Sequence, residues 1–216
     1  MRDINLLHPD LQILCRRLIQ LAAQNGIEII IVQTLRTAEE QNALYAQGRT
    51  VAGDIVTNVR YPYSMHNWGL AFDFAVIIDG KANWERTDLY QKVGELGKSL
   101  GLRWGGDFKT LKDMPHFEMV GFEINKLIER YQTPEKYVAT FAKEAKRLFA
   151  DLVNHWAEKD VRRLAELGIV QPAEKYRPQD PITRAEAAAM VARAIEYIMS
   201  KTEALDTKET REQEES

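Results

Sequence analysis

Cysteine is nearly absent from this sequence of 216 residues, in which Cys15 is the one example. A disulfide within the chain is therefore excluded, and a zinc site built from cysteines is nearly so. No run of about 18 apolar residues occurs, which predicts that no helix spans a membrane. The opening residues also lack the apolar stretch of a secretory signal peptide, so synthesis as a cytoplasmic protein is expected.

The body of the chain also lacks an excess of either positive or negative charge. The net charge is −3, and the last sixteen residues, with three basic and six acidic side chains, account for all of it. A clustered basic stripe, the signature of a nucleic-acid-binding protein, is not present. The same terminal stretch has almost no large apolar residue, which predicts disorder over 200–216.

The first 131 residues alternate helical and strand-like patterns. A helix is predicted over 9–24, a buried strand over 27–34, and a helix from 38 that opens with a capping box of Thr37 and Glu40. A loop over 47–65 precedes a strand over 70–78, a helix over 87–101 and two short strands in LRWGGDF and HFEMV. This order favours an α+β domain with a small, mainly antiparallel sheet and flanking helices.

The pattern changes after Tyr131 and becomes almost entirely helical. We therefore predict a first domain over 1–131, a linker helix over 132–148, a small all-helical module over 149–199 and the charged tail over 200–216. Within the module, Gly168 is expected to end one helix in the left-handed conformation, and Thr183 and Glu186 to form a second capping box.

Two histidines and an aspartate form the first chemical constellation. In SMHNWGLAFDF (64–74), His66 lies seven residues before Asp73, and His116 opens a strand that could pair beside the strand of Asp73. Alternation along that strand places Asp73 on one face and its phenylalanine neighbours in the core. Two imidazoles and a carboxylate are a ligand set of catalytic zinc, which leaves a position for water and lowers its pKa to about 7.

Asp113 is the candidate general base for that water. Pro115 restricts the preceding residue to extended conformations, so Asp113 projects from a loop at the mouth of the last strand. Glu118 is the rival, because in a strand it shares a face with His116. Glu118 could lie near the metal, or it could orient one of the metal ligands through a hydrogen bond without binding the metal itself.

These motifs resemble those of the M15 zinc peptidases, which include D-Ala-D-Ala dipeptidases, carboxypeptidases and L-alanyl-D-glutamate endopeptidases. SMHNWGLAFDF matches the Ser-x-His-x6-Asp motif, and DMPHFEM matches the acid-x-x-His motif. TLRTAEEQNALYAQGRT (34–50) and WGGDF (104–108) resemble the endopeptidase branch found in phage endolysins and bacterial autolysins. The resemblance covers roughly residues 5–130.

The M15 resemblance implies roles for individual residues. It gives His66, Asp73 and His116 as ligands of Zn²⁺ and Asp113 as the base, and aspartate rather than glutamate at that position agrees with the endopeptidases. Arg36 matches the arginine expected to stabilise the oxyanion. Ser64 is a candidate for substrate contact.

The second domain resembles an S-layer homology module. The shared features are FADLVNHWA, Gly-Ile-Val and Ile-Thr-Arg-Ala-Glu, the last of these opening a helix. Such modules hold secondary cell-wall polysaccharide and usually assemble as three copies, so a homotrimer is one expectation. The others are that this copy binds weakly, or that it has lost the ligand and only packs. The resemblance makes Trp156 and Arg184 candidates for polysaccharide binding. Gln171 replaces the usual glycine, and one copy is present.

Together these patterns predict a peptidoglycan hydrolase that cleaves the L-Ala–D-Glu bond of the stem peptide. The module would hold it at the cell wall, after release by a phage or export from a host. Two alternatives stay open. One is a D-Ala-D-Ala carboxypeptidase or dipeptidase with the same zinc, and the other is a wall-binding protein with a structural zinc.

Overall fold

The computed structural model describes residues 1–141, 149–152, 155–170, 173 and 175–214, with side chains as far as 199. The chain divides into two compact units, Met1–Ala145 and Lys146–Ser216. The division falls inside 132–148, the segment that the sequence assigns to a linker.

The first unit contains five helices and five strands among its described residues. In chain order these are α1 (Pro9–Gln24), β1 (Glu28–Gln33), α2 (Ala38–Ala46), β2 (Ala71–Ile78), β3 (Lys81–Asn83), α3 (Thr87–Ser99), β4 (Leu102–Trp104), β5 (His116–Met119), α4 (Ile124–Tyr131) and α5 (Pro134–Val138). Short 3-10 turns lie at Ile4–Leu6, Met65–Trp68 and Gly105–Asp107. The predicted capping box is present, because the Thr37 hydroxyl accepts from Glu40 N and the Glu40 carboxylate accepts from Thr37 N.

The strands form one antiparallel sheet in the order β1-β2-β5-β4, with β3 paired to β2. This confirms the predicted α+β class with a small antiparallel sheet. The register between β2 and β5 sets Phe72 opposite Phe117 and Asp73 opposite His116. Because side chains alternate along a strand, one face of the sheet receives aromatic rings and the other receives the polar groups.

The aromatic face of the sheet is covered by α1 and α3. The α1 side chains Leu11, Cys15, Leu18 and Ala22 are fully buried and pack in the same cluster as Phe72, Phe74, Phe117 and Trp104. Burial raises the pKa of the Cys15 thiol to about 12, so Cys15 acts as an apolar core residue, as the helix pattern predicts. The polar face lies opposite this core.

A second apolar cluster lies between the 3-10 turn at Met65–Trp68 and the helices α4 and α5. The 3-10 turn at Met65–Trp68 places Trp68 against Leu127, Tyr137 and Phe141. The Trp68 indole N–H donates to Pro62 O at 2.8 Å. This packing fixes the turn that carries His66.

The described residues of the second unit form a short 3-10 turn at Ala150–Leu152 and two helices, α6 (Glu158–Glu166) and α7 (Arg184–Glu214). Phe149, Leu152, Val161, Ala165 and Val170 form its buried cluster. Gly168 has a φ of 73°, as predicted for a residue that ends a helix. Thr183 and Glu186 exchange the hydrogen bonds of a capping box, also as predicted.

The sequence predicts disorder for 200–216, whereas α7 continues to Glu214. Alanine, glutamate and lysine have high helix propensity, which a prediction from low apolar content does not count. Of the predicted linker helix over 132–148, residues Pro134–Val138 form α5, and 142–148 lie outside the described residues, as does Gln171.

None of the helices in the described part of the chain is both long enough and apolar enough to cross a bilayer.

Gly97 allows α3 to approach the sheet closely, and this contact yields a test of the packing. A Cβ at Gly97 would lie 2.2 Å from the Phe117 ring. We expect Gly97→Ala to lower the free energy of unfolding by about 1–3 kcal/mol through overpacking, although alanine favours a helix by about 1 kcal/mol. Urea unfolding followed by circular dichroism measures this. Lys92→Ala, at an exposed position of the same helix, is the control, and a Gly97→Ala protein as stable as the control would contradict the close packing.

Candidate metal centre and active site

Three side chains on the polar face bring one ligand atom each to a common point. His66 Nε2 lies 3.1 Å from Asp73 Oδ1 and 3.2 Å from His116 Nδ1, and the last two atoms lie 2.9 Å apart. Asp73 and His116 face each other across β2 and β5, and the turn before β2 folds His66 beside them. The structure therefore gathers the three residues that the sequence proposes as ligands.

The other ring nitrogen of each histidine is already engaged. His66 Nδ1 donates to Thr34 O at 2.8 Å, and His116 Nε2 donates to Glu118 Oε2 at 3.2 Å. These partners place the ring proton on the outer nitrogen in both cases. The lone pairs of His66 Nε2 and His116 Nδ1 consequently point toward the shared centre.

This donor set fits a metal ion. Neutral rings in these tautomers bring two lone pairs and one carboxylate oxygen together with no proton between them, which is unfavourable unless a cation lies at the centre. Ligands held about 2.0–2.2 Å from a tetrahedral Zn²⁺ are separated by roughly 3.3–3.6 Å. The observed separations of 2.9–3.2 Å are close to that spacing. Within the described ranges, these residues are the group of His, Cys, Asp and Glu side chains suited to hold an ion.

The electrostatics of the site also favour a cation. Burial opposes protonation of His116, but its hydrogen bonds to Asp73 and Glu118 outweigh burial and raise its pKa to about 10. For Asp73, burial raises the pKa, yet His66 and His116 hold it well below its usual range. Anionic neighbours that stabilise a proton on an imidazole stabilise a metal ion in the same place.

Asp113 is held over the site by the loop between β4 and β5. Its backbone N–H donates to Gly105 O at 3.0 Å, and the Trp104 indole N–H donates to Met114 O at 2.8 Å. Gly105 is required here, because a Cβ at that position would lie 2.3 Å from Asp113 O and 2.9 Å from His116 Cβ. The WGGDF motif therefore allows the loop that carries Asp113 to pack close to His116.

The pKa of Asp113 is raised mainly by burial and further by the negative charge of Asp73, while His116, His66 and Arg36 oppose the rise. A carboxylate with a raised pKa binds a proton more readily, which suits a group that accepts a proton and then passes it on. Glu118 differs, because one of its oxygens accepts from His116 and the other lies 2.8 Å from Arg103 Nε. Both Glu118 oxygens are committed, which favours an orienting role for Glu118.

Arg36 lies just before α2, with its guanidinium directed into the site. Its Nη1 donates to Gln41 Oε1 at 2.9 Å, and its Nη2 lies 3.5 Å from Asp73 Oδ2. Its Nε is buried without a hydrogen-bond partner among the described residues. Burial lowers the pKa of Arg36, and Asp73 and Asp113 oppose that change. Because Arg36 lines the cleft beside the ligand set, its guanidinium is suited to donate to a substrate oxygen.

Ser64 is the N-cap of the 3-10 turn, where its hydroxyl accepts from His66 N at 3.3 Å. It also lines an open cleft of about 560 Å³ that includes Arg36, His66, Asp73, Asp113 and His116. The structure thus gives Ser64 a local role in holding the His66 turn. Its contact with substrate stays a prediction.

Sequence reasoning overlooked several supporting residues. Gln41 is fully buried, accepts from Arg36 and donates to Val59 O at 2.6 Å. Asn67 donates to Arg36 O at 2.9 Å. Thr34 uses its backbone carbonyl, which no side-chain pattern can signal. A glutamine on the inward face of α2 was the available signal for Gln41.

In the second unit, the two candidate polysaccharide-binding residues are at the surface. Trp156 is 85% exposed, and Arg184 is the first residue of α7 and is exposed. Trp156 lies two residues before α6, which begins at Glu158. Their role in binding stays a prediction.

A ligand set of this kind at the open face of an α+β sheet, with a buried arginine and a carboxylate beside it, defines the class of metal-dependent hydrolases. Comparison with known proteins agrees. A family model of the M15 peptidases, described as D-alanyl-D-alanine carboxypeptidase, matches residues 57–119. The S-layer homology domain model matches residues 148–188.

The chain is 42% identical to the peptidoglycan L-alanyl-D-glutamate endopeptidase CwlK of Bacillus subtilis, over 53% of this chain and 74% of CwlK. It is 31% identical to the L-alanyl-D-glutamate peptidase of Listeria phage A118, over 54% of this chain and 39% of that protein. The L-Ala D-Glu endopeptidase ChiX of Serratia marcescens is a structural neighbour with 24% identity and a TM-score of 0.40, over 54% of this chain and 83% of ChiX. The chain belongs to the M15 peptidase family that includes CwlK.

The orienting role of Glu118 yields a prediction about metal affinity. Glu118→Ala removes the acceptor of the His116 Nε2 proton, so we expect Zn²⁺ affinity to fall about ten- to a hundred-fold. Asp113→Asn, in the same cleft, should leave the affinity near that of the unchanged protein. Competition titration against a chelator of known affinity measures both. An equal loss in the two variants would contradict the separate roles.

Proposed function

We propose that this protein is a zinc-dependent endopeptidase that cleaves the L-Ala–D-Glu bond of the peptidoglycan stem peptide. The observation that carries this proposal is the triangle of His66, Asp73 and His116 ligand atoms, 2.9–3.2 Å apart, with both outer ring nitrogens engaged. The bond is proposed from the activity named for CwlK and for the phage A118 peptidase.

In the proposed mechanism, His66, Asp73 and His116 hold the Zn²⁺, which when bound supplies positive charge that acidifies water and polarises a carbonyl group. Asp113 takes the proton of the attacking water and delivers it to the amine of the leaving residue. The raised pKa of Asp113 suits both halves of that transfer. The Arg36 guanidinium, which lines the cleft beside Asp73, donates to the oxygen that becomes negative as the carbonyl is attacked.

One alternative substrate has a specific observation in its favour. The family model that matches residues 57–119 is described as D-alanyl-D-alanine carboxypeptidase, and the same ligand set and base would serve that reaction. A purely structural zinc is disfavoured, because the ligand set lines an open cleft and has a carboxylate of raised pKa, Asp113, beside it.

We propose that the second unit holds the enzyme at the cell wall through secondary polysaccharide. The match of residues 148–188 to the S-layer homology domain supports this, and Trp156 and Arg184 are the residues proposed to bind. Keeping an enzyme at an insoluble substrate raises its local concentration. Association of three chains belongs to the same proposal, and the exposed side chains of Val191 and Ile195 on α7 offer an apolar surface for it. The enzyme then acts at the wall after release or export.

Digestion of purified peptidoglycan tests the bond and the base together. Mass spectrometry of the zinc-loaded digest should show a new amino terminus on D-Glu. Asp113→Asn should lower the rate about 10²- to 10⁴-fold, while Asp88→Asn, at an exposed carboxylate paired with Arg86, should not. Release of D-alanine without D-Glu amine would favour the carboxypeptidase.

The pH profile gives the same prediction a second readout. The base must be ionised to act, so kcat/KM should fall as the pH drops through the raised pKa of Asp113. Asp113→Asn should remove that acidic limb. An unchanged limb in the variant would assign the base to another group.

Wall binding by the second unit is tested with the full chain and isolated walls. Trp156→Ala and Arg184→Ala together should reduce co-sedimentation about tenfold or more, because they remove an exposed aromatic platform and a cation. Trp84→Ala is the matched control, since Trp84 is 54% exposed in the first unit. Equal sedimentation of all three proteins would show that these residues do not hold the polymer.

A further inference from the structure

Arg103 projects into the cleft from the middle of β4. Its neighbours Leu102 and Trp104 are buried in the core, and alternation therefore turns Arg103 to the polar face. In the pairing of β4 with β5, Arg103 lies directly opposite Glu118. It lines the same cleft as the metal ligands and Asp113.

The Arg103 guanidinium is held in place from two sides. Its Nε lies 2.8 Å from Glu118 Oε1, and its Cζ lies 5.0 Å from the centre of the Phe108 ring. Within the described part of the chain, its two terminal nitrogens make no hydrogen bond. The side chain is 62% exposed. An oriented guanidinium with its fork directed to solvent can bind a carboxylate at two points.

Two of the described residues that line the cleft are cationic, Arg36 and Arg103. Arg36 follows β1 and contacts Asp73, whereas Arg103 lies on β4 at the other edge of the sheet order β1-β2-β5-β4. Adjacent strands lie about 4.8 Å apart. The two guanidinium groups therefore flank the ligand set from opposite sides, and Arg103 is about one strand beyond His116.

The chemistry of the leaving residue matches this cation. Glutamate has two carboxyl groups and only one can be joined to the next residue, so a D-glutamyl residue keeps a free carboxylate close to the cleaved bond. We propose that Arg103 binds this carboxylate and so selects an acidic residue on the leaving side. The inference rests on the proposed function, and it assigns to Arg103 the enzyme's preference for D-Glu on the leaving side.

A narrower role for Arg103 predicts a different outcome. If Arg103 only holds Glu118, its loss would act through His116 and slow every substrate by the same factor. A role in binding carboxylate instead changes the ratio between an acidic substrate and its neutral amide. The ratio therefore separates the two roles, whatever the absolute rates.

The experiment uses two stem peptides that differ only in whether the second residue carries a free carboxylate or an amide. We expect the zinc-loaded protein to prefer the carboxylate peptide by about tenfold or more in kcat/KM, as for a hydrogen-bonded charge pair. In Arg103→Met that ratio should fall close to one, mostly through KM for the carboxylate peptide. Arg103→Lys, which keeps the charge but loses the fork, should lie between.

Arg86→Met is the matched control, because Arg86 forms an exposed pair with Asp88 and is not among the cleft residues. Its ratio should equal that of the unchanged protein. A binding measurement free of turnover accompanies the kinetics. Product peptides beginning with D-Glu or its amide are titrated into the full chain, and Arg103→Met should lose the difference in affinity. Thermal melts establish that each variant is folded.

Two results would overturn the inference. One is an unchanged protein with no preference for the carboxylate peptide, and the other is an Arg103→Met protein that keeps the preference because both peptides are slowed equally or not at all. Failure of the unchanged protein to release a D-Glu amine from either peptide is a different result, and it would contradict the proposed function itself.

Discussion

In the antiparallel pair of β2 and β5, Asp73 lies opposite His116 on one face while Phe72 lies opposite Phe117 on the other. The two phenylalanine rings are fully buried, with centroids 5.6 Å apart. A shift of one residue would turn the phenylalanines out of the core and the ligands into it, at a cost that apolar burial makes prohibitive. The register that the core demands is therefore also the register that assembles the ligand set.

The residues around the metal ligands also depend on strand pairing and core packing for their positions. Glu118 is two residues beyond His116 on the same strand face, and from there it accepts the outer proton of the His116 ring. The buried side chain of Trp104, the last residue of β4, donates its indole N–H to Met114 O and so anchors the loop of Asp113. Gly105 allows that loop to close. The groups proposed to carry out the reaction are thus positioned by strand pairing and by loops that core side chains anchor.

Much of this arrangement could be predicted from local patterns. Alternation in LAFDFAVII indicates that Asp73 and its phenylalanine neighbours face opposite ways, and Pro115 indicates an extended lead into His116. The ends of α1 and the capping box of α2 follow from local rules as well. Such features depend on neighbours within a few residues, which the sequence displays directly.

The supporting groups depend on contacts between distant segments and could not be predicted in this way. Arg103 meets Glu118 only because β4, three residues long, pairs with β5 in one register. Gln41 meets Arg36 only once α2 is folded against the cleft. The role of Arg36 itself came from family resemblance, since its local pattern shows only a cation before a helix. The helical tail was missed because composition alone does not register helix propensity.

The charged side chains of the cleft relate metal binding to the binding of an acidic substrate. Its described lining carries three carboxylates, Asp73, Asp113 and Glu118, against the two guanidinium groups of Arg36 and Arg103. Without a metal ion the raised pKa of His116 keeps one imidazole protonated, so the total charge is zero. A bound divalent cation with both histidines neutral gives a total of +1, which attracts an acidic peptide. The cleft is therefore better matched to an anionic substrate when the metal ion is held, so metal binding and substrate selection are coupled through the same few side chains.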